Sequence, residues 1–171
     1  MPVRPFRHSD ARALAQLFYA AIHEIAAQHY SPEQVRAWAP YEPSPDLIIG
    51  WAGDGRIMLV ATDALDEPLA FGDLEADGHI DHLFCRPDQA GTGVSILLYE
   101  AIEATAHRQG LARLFVEASE PAKRFFLRQG FQVDHRRDFE VRGVPIHNYR
   151  MEKMLYLVDP DNRHQHPQAH V

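Results

Sequence analysis

Apolar residues recur at a helical period in the first fifty positions and at a strand period from residue 56 onward. Leu14, Leu17, Phe18, Ala21, Ile22 and Ile25 fall at i, i+3, i+4, i+7, i+8 and i+11. That spacing predicts one amphipathic helix, with Ser9 or Asp10 as its cap and a short strand at 3–6 before it. "SPEQVRAWA" predicts a second helix, Ser31 its cap and Pro32 its first residue. Pro40, Pro43 and Pro45 should end helical structure and stiffen the connection, with "DLIIGWA" as one more short helix before Gly53 and Gly55. The runs "RIMLVATD", "EPLAFGDLEA" and "HIDHLFC" then read as strands of an antiparallel meander, turning at Asp66-Glu67-Pro68 and Asp77-Gly78.

Helical spacing returns after Gly93, where Val94, Leu97, Leu98, Ala101, Ile102 and Thr105 share a face up to Gly110. "ARLFVEA" predicts a buried strand, and "SEPAKRFFLRQG" a short helix with Ser119 as cap, Pro121 in its first turn and Gly130 as its end. Two strands follow at about 131–142 and 144–156, turning at Gly143. Residues 159–171 have almost no apolar content and are predicted to be a disordered tail, which leaves one domain over 1–158. The order β-α-α-α-β-β-β-α-β-α-β-β predicts a mostly antiparallel α/β sheet with one right-handed parallel crossover across 80–118 and helices on both faces.

Composition narrows the classes. A chain of 171 residues with 46% apolar and 24% charged residues is an ordinary globular domain. The net charge of -7 argues against nucleic acid as a partner. One cysteine excludes an internal disulfide framework and fits a reducing compartment. The start lacks a signal-peptide pattern and no apolar run reaches membrane-spanning length, so the expectation is a cytoplasmic protein without a membrane partner.

The stretch "CRPDQAGTGVSILLYEAIE", 85–103, carries the clearest chemical signal. Glycines between a strand and a helix let backbone N–H groups, here those of residues 91–95, converge where the helix dipole favours an anion. Arg86 stands just upstream and Thr92 adds a hydroxyl. A P-loop would need a Lys after Gly93, where Val94 stands, and a dinucleotide fingerprint would need Gly or Ala in place of Ile96. By itself the stretch is equally well a plain strand-to-helix turn.

Together with "HIDHLF", "S-x-x-A-x-x-F-F-x-x-x-G-F" and "HNYRMEK", it resembles the GNAT-type N-acetyltransferase superfamily over about residues 3–156, closest to a YafP-like bacterial branch. The resemblance implies the GNAT fold and acetyl-CoA as co-substrate, with no metal. The family's pyrophosphate loop, Gln/Arg-x-x-Gly-x-Gly/Ala, maps onto Ala90-Gly91-Thr92-Gly93-Val94-Ser95. Gly93 matches, whereas Ala90 replaces the opening Gln/Arg, with Gln89 one position early, and Ser95 replaces the closing small residue. Backbone groups of Leu83, Phe84 and Cys85 would pair with the pantetheine arm, and Ser119, Ala122, Phe125 and Phe126 would border it. Dimerisation is common in such folds.

Acetyl transfer to an amine needs a base, because an amine of pKa near ~10 is protonated at pH 7. The resemblance points to Asp81, which would also face the acceptor; it requires burial to raise its pKa, and a locally hydrogen-bonded strand carboxylate is the plain alternative. Many family members carry an acid Tyr where Phe126 stands, so Tyr149 is the substitute donor if the last strand lies beside the thioester. Strand alternation puts His79 and Asp81 on one face and His82 on the other, too few ligands for a zinc site. Cys85, four strand residues from Asp81, belongs by the pyrophosphate rather than the thioester. His29, Tyr30 and Trp38 would shape the acceptor pocket, a small-molecule or peptide amine being the expected partner; helix-end packing explains them as well. His164, His166 and His170 fall in the tail. Two functions remain open: an N-acetyltransferase, and a CoA-binding or sensing module with weak catalysis, which Phe126, Ala90 and Ser95 keep in play.

Overall fold

The computed structural model describes residues 1–156, so the predicted tail and the boundary at 158 lie outside the described residues. Four strands, β1 (Val3–Pro5), β2 (Ile57–Thr62), β3 (Pro68–Leu74) and β4 (Leu83–Cys85), form an antiparallel sheet in that order. A second antiparallel sheet has β5 (Arg113–Ala118) paired with β7 (Val144–Met154), and β7 with β6 (Gln132–Val141). Five α-helices join them: α1 (Ala11–Ala20), α2 (Pro32–Trp38), α3 (Pro45–Ala52), α4 (Val94–Arg108) and α5 (Glu120–Arg128). None among the described residues is long and apolar enough to cross a membrane.

The first sheet is covered on both sides, which is why β2 and β3 read as almost unbroken apolar runs. Met58, Val60 and Phe71 pack with Leu14, Leu17 and Ile48 of α1 and α3. The alternate residues Leu59, Ala61 and Ala70 pack with Val94, Leu98, Tyr99 and Ile102 of α4. Burying such a side chain contributes about 1.5–3 kcal/mol before conformational entropy is subtracted.

Several predicted elements change in detail. The first helix runs as an α-helix only to Ala20, then widens into a π turn over Ala21–Ile25 and tightens into a 3-10 turn over Ala26–Gln28. A π turn adds one residue to a helical turn and so re-aims the chain beyond it; here Ala21, Ile25 and Ala26 reach a cavity wall. Pro45 does not stiffen a connection but opens α3, where its missing N–H costs nothing. Ser31 caps α2 as expected, in a reciprocal box with Gln34.

The parallel crossover is realised at one point. His79 bridges Phe115, with Ile80 N–H donating to the Phe115 carbonyl (2.9 Å) and Phe115 N–H to the Gly78 carbonyl (3.0 Å). Gly78 has φ +94°, and a Cβ there would run into the Arg113 carbonyl oxygen. Beyond this junction β4 and β5 part.

Candidate functional site

The parting comes from a bulge. The predicted strand 79–85 forms regular ladder only at Leu83–Cys85, because the N–H groups of Asp81 and His82 both donate to Asp73 Oδ1, at 3.0 and 2.9 Å. The bulge overturns the expected alternation: Asp81 and His82 now point to one neighbourhood, while His79 pairs with Glu117 and Glu75. Below the bulge, His82 accepts from Asp73 N–H and Arg86 donates to the Leu69 carbonyl. The even-numbered residues therefore bond to β3, and Leu83 and Cys85 turn their peptide groups to the open edge. Phe84, expected to offer its backbone, offers its side chain instead.

Three connected cavities line the gap, all sharing Trp38, Phe84 and Ser119. An apolar slot of about 150 Å³ runs from Cys85 and Ser95 to Ser119, Pro121, Ala122 and Phe125. A small cleft of about 90 Å³ lies between β4 and β5, reaching Ile80, Val116 and Phe126. A wider cavity of about 340 Å³ is walled by Phe18, Tyr30 and Phe139, with Asp81 and His82 from the bulge before β4, Glu117 from β5 and His147 and Asn148 from β7. Ser119 precedes α5 but makes no side-chain cap bond, so capping does not account for its hydroxyl.

At the slot's far end, Gly91 (φ +79°) and Gly93 (φ +93°) hold left-handed conformations with open space where a side chain would be. Among the described residues no backbone carbonyl takes the N–H groups of Gly91, Gly93, Val94 or Ser95. Thr92 departs from the expectation: its N–H and its hydroxyl both donate to the Gln89 carbonyl, at 3.2 and 2.8 Å. Cys85 sits here, away from Asp81's cavity, with burial pushing its thiol pKa up despite a bond from Ser95, so it is a poor nucleophile.

Asp81 does not meet the condition set for it. Its side chain is 41% exposed and accepts from Arg56 Nη1 at 2.9 Å. The buried carboxylate is Asp73, 0% exposed, which accepts four hydrogen bonds: two on Oδ1, and on Oδ2 one from Arg56 Nη1 (2.7 Å) and one from His82 Nδ1 (2.6 Å). Burial pushes its pKa up, but His82 and Arg56 outweigh that and hold it below the ordinary carboxylate value. Asp73, Asp81 and His82 converge within 4.8 Å, yet the point they face is filled by the Arg56 guanidinium, which also reaches Asp54 and Glu75.

Other placements divide. Tyr30 is a structural latch: its buried hydroxyl accepts from Glu120 N–H (2.8 Å) and donates to the His147 carbonyl (3.1 Å). Trp38 stands where the cavities meet. His29 is exposed and lines none of these cavities, because the 3-10 turn ends beside it. Tyr149 lines none of them either; it faces α5, with Lys123 Nζ 3.8 Å from its ring centre. Sequence reasoning missed Arg56, Asp73, His82 and Glu117. The signal for Asp73 was present, as a lone acid inside the apolar run "PLAFGDL".

Comparison with known proteins gives a consistent answer. Residues 26–153 match the model of the acetyltransferase (GNAT) domain. YafP of Escherichia coli K12, described as an uncharacterized N-acetyltransferase, is 31% identical over 87% of this chain and 93% of its own. The peptidyl-lysine N-acetyltransferase YjaB of Salmonella typhimurium is 26% identical over 90% of this chain and 97% of its own. Among solved structures, a GCN5-related N-acetyltransferase of Rhodopseudomonas palustris superposes with a TM-score of 0.83 at 32% identity, over 90% of this chain and 95% of that one. The PaiA N-acetyltransferase of Thermoplasma acidophilum, in complex with coenzyme A, shares the fold, with a TM-score of 0.70 at 16% identity over 90% and 98% of the two chains.

Proposed function

The chain belongs to the GNAT acetyltransferase family, and on that premise we propose that it moves the acetyl group of acetyl-CoA to the nitrogen of an amine acceptor by direct attack within a ternary complex. The observation that carries this reading is the open edge of β4. Leu83 and Cys85 present unpaired peptide groups beside an apolar slot that leads from the free N–H groups at the start of α4 to Ser119. Those N–H groups, with Gly91 and Gly93 keeping the approach clear, receive the pyrophosphate. The slot's Ala122, Phe125 and Ala21 take the pantetheine arm, and Leu83 and Cys85 pair with its amides. A peptide N–H from this edge polarises the thioester carbonyl as negative charge develops on its oxygen.

The wider cavity receives the acceptor. Its aromatic walls suit an aliphatic stem, and the exposed Asp81 carboxylate draws an ammonium toward the gap. YjaB's description as a peptidyl-lysine acetyltransferase makes a lysine side chain the first acceptor to test. Phe126 is buried in the core and carries no proton, and Tyr149 lies outside the cavities, so the departing thiolate takes its proton from the acceptor nitrogen or water. Incubation with acetyl-CoA and a panel of lysine peptides and polyamines, read by free thiol and by a 42 Da mass gain (roughly one acetyl group), tests the reading. Thiol release that no acceptor raises above hydrolysis, alongside intact CoA binding, favours the binding-module alternative.

A further inference from the structure

Resting on that transferase reading, we propose that His82 is the base that deprotonates the acceptor amine, and that Asp73 and Arg56 are its positioning residues. His82 is 7% exposed yet lines the acceptor cavity. Its ring stacks on Trp51 at 4.1 Å between centroids, meets Phe18 edge-on and lies tilted against Phe84, so one orientation is fixed. Nδ1 lies 2.6 Å from Asp73 Oδ2. An ionised carboxylate only accepts, so Nδ1 carries the proton between them and Nε2 of the neutral ring keeps a lone pair. Among the described residues Nε2 has no hydrogen-bond partner, and it is not among the sealed-off polar atoms, so it opens to the cavity. A carboxylate orienting an imidazole whose far nitrogen faces the substrate is the arrangement of an activated base. Asp81, exposed and paired to Arg56, has neither the burial nor the orientation.

The step balances. Nε2 takes one proton from the ammonium, and the freed lone pair forms the C–N bond at the thioester carbonyl. Collapse of the adduct breaks the C–S bond, and the thiolate leaves with the electron pair and takes the second proton the nitrogen must lose. The imidazolium returns its proton to solvent. The charged groups facing His82 are Asp73 from β3, Arg56 ahead of β2, Asp81 on its own strand, and Glu117, Arg137 and His147 across the cavity.

Steady-state kinetics with acetyl-CoA and an N-terminally blocked lysine peptide test the assignment. His82→Gln should lower kcat ~100-fold or more with the acetyl-CoA KM nearly unchanged, a larger loss than Asp81→Asn causes. Between pH 7 and 9 the variant should regain ~10-fold per unit as solvent supplies neutral amine, whose ordinary pKa is near ~10.4. Nitrogen-15 NMR of the histidine ring should show the Nδ1–H tautomer in the parent and a shift toward Nε2–H in Asp73→Asn, a signature that packing alone would not move. A parental kcat in His82→Gln, or an Nε2–H tautomer in the native protein, overturns the assignment. Absence of turnover in the parent with CoA binding intact overturns the transferase reading itself, and the base role with it.

Discussion

The segment 78–85, which ends in β4, meets β5 at one end and parts from it at the other, and the two ends are built from opposite materials. At the closed end the Gly78 carbonyl and the Ile80 N–H bond to the Phe115 backbone, His79 stacks on the Phe115 ring, and Glu117 closes an ion pair over it. At the open end, only a few residues on, Leu83 and Cys85 face a gap instead of a strand. The switch between them is one buried carboxylate: Asp73 takes the two N–H groups that would have continued the ladder. Continuous pairing would have favoured stability, whereas the gap leaves peptide groups free for a ligand. The closed end should therefore fail by unfolding and the open end by loss of binding.

Gly78→Ala should give the largest effect. The added Cβ meets backbone that cannot move aside, in a left-handed conformation, and the loss should exceed ~4 kcal/mol in urea unfolding or prevent folded protein from accumulating. Next comes Gly93→Ala, also left-handed but with nothing nearby to strike. It should cost only ~1–2 kcal/mol of stability while weakening CoA binding ~10-fold, read by calorimetry. A Gly93 variant as unstable as the Gly78 one would erase the contrast between the ends.

The smallest effect lies in the pH dependence of the closed end. The His79 hydrogen bond, with a second from Arg150, holds the Glu117 pKa down at about 2, against an ordinary 4.5. His79 is pushed down by burial but raised more strongly by Glu117, to a net value above its ordinary 6.5. A raised His pKa stabilises fully below the unfolded value and fades as pH rises through the folded one; a lowered Glu pKa stabilises above the unfolded value and fades as pH falls toward 2. The pair thus contributes most between pH 4.5 and 6.5. His79→Gln should destabilise by ~1 kcal/mol at pH 5.5 and by less at pH 9, beyond its pH-independent packing cost.

Much of this fold was legible because period and punctuation agree. Helix α4 begins at Val94 and α5 at Glu120, as the glycine and the serine-proline signals predict. The bulge was not legible: "HIDHLFC" has the composition of a plain strand, and what breaks it is a carboxylate from the neighbouring strand. That one long-range contact hid His82, misplaced Asp81 and removed the basis for a two-faced histidine count. The glycine loop was legible because its requirement is local backbone freedom. The failures at His29 and Tyr149 share a cause, since which wall a residue on a turn or a terminal strand joins is set by packing rather than by its own sequence.

Residue-resolved amide hydrogen exchange with and without acetyl-CoA tests the division between the two ends most directly. Leu83, Cys85, Gly91, Gly93, Val94 and Ser95 should slow markedly on addition of the co-substrate, while Gly78, Ile80 and Phe115, already bonded, stay unchanged. Protection that leaves Leu83 and Cys85 untouched and appears instead around Glu103 and Lys153, at the cavity behind α4, would contradict the account.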